Sequence, residues 1–147
     1  MRKIFFVILL SITIVIASCG CSQNKNEVRI GFEFNTFEKD STPYTEVIFK
    51  FLDKKEERIS VGSFIGTASM IESFENQVFF NEKSLIGCQV FYAGGGDNIF
   101  VYLEDKKLIV KHIEFVLGND EVDSSIIKEE IVTTKEISEV TNIQKYE

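Results

Sequence analysis

Tryptophan is absent from the chain, and proline and histidine occur once each. No apolar run reaches the roughly 18 residues expected of a membrane-spanning helix. Each shortage removes a class of chemistry. Without Trp, the usual platform for stacking sugars is missing. A lone histidine, His112, rules out a site built on two imidazoles, and it is the only imidazole that could serve a hydrolytic triad. No Gly-x-Ser-x-Gly elbow is present to supply the nucleophile. The three cysteines, Cys19, Cys21 and Cys88, form no Cys-x-x-Cys pair, so zinc and thiol-redox sites have no support. Cations are also short: the net charge is −7, and a surface of that sign repels the phosphates of nucleic acid. The sequence therefore implies no nucleic-acid partner, metal or cofactor.

What is abundant is phenylalanine, with fourteen residues against four tyrosines. Phe has no polar handle, so most of these belong in a core. At 147 residues, 44% hydrophobic and 27% charged, the chain has the composition of one folded domain.

The N-terminus is patterned differently from the rest. Arg2 and Lys3 precede an apolar run from Ile4 to Ile16, broken only by Ser11 and Thr13. As a helix it spans about 20 Å, short of the roughly 30 Å hydrocarbon core, which fits a cleaved signal segment rather than a permanent span. The run ends in Ile16-Ala17-Ser18-Cys19. This tetrapeptide resembles the lipobox of bacterial lipoproteins: an aliphatic residue, a small or aliphatic one, a small one, then cysteine. The resemblance implies cleavage before Cys19, a diacylglycerol thioether on its sulfur, and acylation of the new amino terminus. Several acyl chains anchor firmly where one is marginal. Cys21 fits less well, because Ser18 would then stand where an aliphatic residue belongs. In the sorting rule of Gram-negative lipoproteins, Gly20 after the lipidated cysteine favours the outer membrane over inner-membrane retention. Loss of Arg2 and Lys3 with residues 1–18 leaves −9 on residues 19–147.

The expected organisation is thus a signal helix over 1–18, a lipidated Cys19 and polar tether over 19–26, a β domain over 27–134, and a polar tail over 135–147. Val28, Ile30, Phe32 and Phe34 alternate with polar or small residues, the period of a half-buried strand. Further strands are expected over 44–52, 58–65, 85–92, 98–103, 108–117 and 125–134. Residues 67–76 suggest a short helical turn, and 77–80 a brief strand. Turns fall at Asp40-Ser41-Thr42-Pro43, Asp53–Glu57, Ala93–Asp97, Glu104–Lys107 and Gly118–Glu121. The pattern predicts an all-β fold, a small antiparallel sandwich of about seven strands, with a barrel as the alternative.

Candidate chemistry is sparse. Gly94-Gly95-Gly96-Asp97 has the glycine content of an anion nest, but a strand rather than a helix follows, so it reads as a hairpin turn. Asn119-Asp120-Glu121-Val122-Asp123 offers oxygen ligands without the spacing or central glycine of an EF-hand loop, and reads as a solvated turn. His112 reads as an exposed or partly satisfied strand residue. Cys21 and Cys88 could pair in an oxidising compartment, yet Cys88 lies in an apolar run and reads as a buried hydrophobe. Tyr92, Asp97 and Asn98, grouped at the glycine turn, form the expected surface patch for binding. The functional expectation is a lipid-anchored, non-catalytic binding module of the cell envelope. Its partners would be the membrane, through Cys19, and an envelope protein. The alternative is an inhibitor of an envelope-degrading enzyme such as a basic lysozyme.

Overall fold

The computed structural model describes residues 27–74, 83–118, 125–137 and 142–146. The expected signal helix, tether, Cys19, Cys21, the 77–80 strand and the whole Asn119–Asp123 stretch lie outside them.

Among the described residues, nine strands form two sheets: β1 (Glu27–Lys39), β2 (Thr42–Leu52), β3 (Glu56–Ile65), β4 (Thr67–Met70), β5 (Ser84–Tyr92), β6 (Gly95–Glu104), β7 (Lys107–Val116), β8 (Ser125–Glu136) and β9 (Asn142–Lys145). One sheet runs β3-β2-β1-β9 and the other β4-β5-β6-β7-β8. They pack as a sandwich, and no barrel closes. All pairings are antiparallel except β1 with β9.

Period-two alternation places the core. Ile30, Val47 and Phe49 from the first sheet and Val90, Ile99 and Val110 from the second are fully buried in one cluster. The hairpin tips follow from local chemistry. Asp40 and Ser41 (φ 51° and 61°) join β1 to β2, and Asp105 and Lys106 (φ 48° and 62°) join β6 to β7. Positive φ at both central residues gives the two-residue turn whose twist matches its strands.

Gly66 carries the chain from one sheet to the other. Its φ of 114° suits glycine, and a Cβ there would stand 2.0 Å from the Phe91 carbonyl oxygen. Its N–H donates to the Pro43 carbonyl, and the buried Thr45 hydroxyl donates to the Gly66 carbonyl at 2.7 Å. The corner is thereby tied to β2 of the first sheet.

Three expectations change. Residues 67–70 form β4, paired with β5, where the sequence suggests a helical turn. The glycine stretch is mostly strand: only Ala93 and Gly94 (φ 85°) lie between β5 and β6, so Asp97 sits within the ladder. The expected tail is part of the fold. β8 runs on to Glu136, Ile137 is buried in the core, and β9 extends the first sheet beside β1. Tyr146 then packs over Gly31 and donates its N–H to the Ile30 carbonyl at 2.9 Å. A polar composition hides this strand, because an edge strand of four residues needs only one face partly buried.

β8 forms a long edge of the second sheet and exposes Ile126, Ile127 and Ile131. Two bulges bend it, and charged residues line it, features that discourage edge-to-edge association.

Two outcomes are expected. Gly66→Ala should lower stability to urea by about 1–3 kcal/mol from backbone strain, with the carbonyl clash adding to it. Cys88 is fully buried, and burial pushes its thiol pKa far up. A maleimide should leave Cys88 unmodified in the folded protein and label it readily in urea; labelling in the fold at an equal rate would contradict the assigned core.

Candidate functional site

β6 and β7 pair so that Val101 faces Val110, Ile99 faces His112, and Asp97 faces Glu114. Successive side chains of a strand alternate, so these six share the face turned toward the first sheet. That face is apolar near the β6–β7 turn and becomes polar toward the other end of the sandwich. His112 lies one step diagonally from Asp97, within reach across the pair. Its Nε2 is 2.7 Å from Asp97 Oδ1. On its other side β8 sets Glu130 opposite, and Nδ1 is 3.1 Å from Glu130 Oε1. Lys128 Nζ donates to that same oxygen at 2.6 Å. Phe64, from β3 of the facing sheet, closes the cluster with its ring centroid 5.0 Å from that of the imidazole.

His112 and Asp97 are buried, at 5% and 6% exposure, while Glu130 reaches solvent. Burial pulls the His112 pKa down, but hydrogen bonds to Asp97 and Glu130, and their negative charge, outweigh it and raise it above the usual imidazole range. Donation from Lys128 and from His112 holds the Glu130 carboxyl below its usual range. Burial, then the charges of Asp97 and Glu114, raise the Tyr92 phenol.

The chemistry follows from a count of protons. A neutral imidazole has one N–H and satisfies one carboxylate; an imidazolium satisfies both. The geometry suits the charged form, with each ring nitrogen donating. In that state no ring nitrogen is free to take a proton from a nucleophile or to bind a metal. Among the described residues no three His, Cys, Asp or Glu side chains are grouped to hold a metal ion.

The structure divides the expected patch. Tyr92 and Asp97 lie on the inward face with Glu114, and Asp97 is buried rather than on the surface. Asn98 points the opposite way, onto the outer face of the same sheet, and is buried at 1% exposure. The cluster centre is instead His112, which the sequence suggests is exposed or partly satisfied, with Glu130 as a partner that sequence reasoning misses. A signal exists for one contact. Counting back from the Asp105-Lys106 tip pairs Ile99 with His112 and places Asp97 diagonal to it. No such count reaches Glu130, because two bulges shift the β7–β8 register.

No family model, curated protein or solved structure matches the chain. The cluster therefore has to be read from its geometry alone. That geometry is a charge clamp, joining three strands at one end of the core.

The clamp should couple stability to pH. The folded His112 pKa is raised, so its contribution is fully present below the unfolded value of about 6.5 and is lost as pH rises through the folded value. Urea midpoints should therefore fall between pH 6 and pH 8.5. His112→Gln should flatten that dependence and cost about 1–3 kcal/mol at pH 6, as Asp97 loses a charged donor. A wild-type profile as flat as that of the variant would remove the imidazolium assignment.

Proposed function

We propose that this protein is a membrane-anchored lipoprotein of the cell envelope and that its β-sandwich is a non-catalytic binding module. The observation that carries the reading is Ile16-Ala17-Ser18-Cys19 at the end of a short apolar run behind Arg2 and Lys3. The sandwich begins at Glu27, so a lipidated Cys19 leaves a tether only a few residues long. The state of the only histidine supports a non-catalytic role. Both its nitrogens are engaged by carboxylates, and its neighbours are strands packed in the core rather than loops around a cleft.

A second reading is inhibition of a cationic envelope-degrading enzyme. It is favoured by the accumulation of carboxylates at the sandwich end remote from the tether, where Glu38, Asp40 and Glu129 are exposed. Such a pole attracts a basic partner and speeds encounter. Absence of inhibition of basic lysozymes at micromolar concentration would dismiss it.

Membrane fractionation of cells expressing the wild type and Cys19→Ala tests the main reading. Wild type is expected in the membrane fraction, carrying label from radioactive palmitate. The variant is expected to lose both the label and the membrane association. Crosslinking of wild type in intact cells should then enrich one envelope protein, and that partner defines the role. A Cys19→Ala protein that stays membrane-bound sinks the proposal.

A further inference from the structure

The charges of the sandwich are sorted by end. The end at which β1 begins also holds the β2–β3 and β6–β7 turns and the start of β5. Lys54, Lys55, Lys83, Lys106 and Lys107 are all exposed there. A line across the ladders at the Phe49–Ile59 and Phe100–Lys111 pairs separates two halves. Among the described residues, eleven Lys and Arg, with Lys111 on the line included, outnumber eight Asp and Glu on the β1-start side. Beyond the line, among the described residues, only Lys39 and Lys128 remain against eight carboxylates; ion pairs occur on both sides, Lys128 with Glu130 on this one and Lys107 with Glu136 and Lys135 with Glu57 on the other. Among the described residues, an overall negative charge thus divides into one end with a modest excess of cations and one that is strongly acidic.

The tether enters at the cationic end. From Cys19 to Glu27 the chain reaches at most about 27 Å when fully extended. The thirteen residues of β1 span about 43 Å along the sandwich. A lipid-anchored chain therefore cannot invert to set its acidic end on the membrane, because the tether would have to run the length of the domain. It can lie on its side or stand on the end where β1 begins. Charge chooses between these. An anionic surface attracts lysines within about 10 Å and repels the carboxylates that a sideways pose would bring equally near.

We propose that the lysine-tipped end of the sandwich rests on anionic phospholipid headgroups, so that the domain stands with its acidic end directed away from the membrane. The inference rests on the lipidation of Cys19 proposed above, and it adds a second contact to that anchor.

The lipidated full chain can be tested in vesicles of 30% phosphatidylglycerol in phosphatidylcholine and in vesicles of phosphatidylcholine alone. A donor dye on Thr36→Cys, in a Cys21→Ser background, reports energy transfer to an acceptor lipid in the bilayer. Thr36 is exposed in the acidic half. Transfer is expected to be lower on the anionic vesicles, because the far end is held away, and 0.5 M salt should erase the difference. Lys54→Glu, Lys55→Glu, Lys83→Glu and Lys107→Glu, combined, should erase it too while leaving the urea midpoint close to that of the parent. Equal transfer on both vesicles, or a charge variant indistinguishable from its parent, overturns the standing pose while leaving the anchor intact. A chain that washes off both kinds of vesicle instead overturns the lipidation reading, and the pose with it.

Discussion

Burial of two apolar sheet faces against each other, with Phe49 and Ile30 meeting Ile99 and Val110, is the interaction on which the other features depend. It sets the parity of every central strand, since a slip of one residue would turn each buried face to solvent. That parity decides where polar side chains can go. On β6 and β7 the inward positions run from apolar to polar along the strand. Asp97, His112 and Glu114 enter the interior only where the core thins toward one end.

Such a cluster is tolerated because its charges answer one another. An isolated buried carboxylate would be costly, and Asp97 is held by an imidazole that gains a second carboxylate on its far side. The arrangement links β6, β7 and β8 through side chains as well as through the ladder. Removal of His112 takes the charged donor from buried Asp97, while Glu130 keeps Lys128.

Charge has a second layer of organisation at the scale of the whole domain. Net charge describes solubility and distant attraction, and it is silent about ends. Alternating hairpins return the chain to the same two ends again and again. Lysines placed at the turns of one end therefore gather on one surface, although they lie far apart in sequence. The same geometry gathers carboxylates at the other.

Much of the fold is legible in the order of the residues. Alternation marks β1 to β3, apolar and β-branched runs mark β5 to β8, and Asp-Ser, Ala-Gly and Asp-Lys mark the turns, because each signal is local to a few residues. The Ile16–Cys19 motif is local too, and the sequence alone carries it. β4 and β9 are not legible. Their four residues each become strands only by pairing with β5 and β1, and Met70 and Ile143 carry no period of their own. The split between Asp97 and Asn98 is equally hidden. Adjacent residues in a strand face opposite ways, and a glycine stretch that reads as a turn offers no face to assign. Sequence determined the seven longer strands and their turns, since hydrophobic pattern and turn chemistry act over a few residues. Tertiary structure alone decided that His112 lies between Asp97 and Glu130, and that the lysines share one end. Both depend on which strands become neighbours, a choice made by long-range burial.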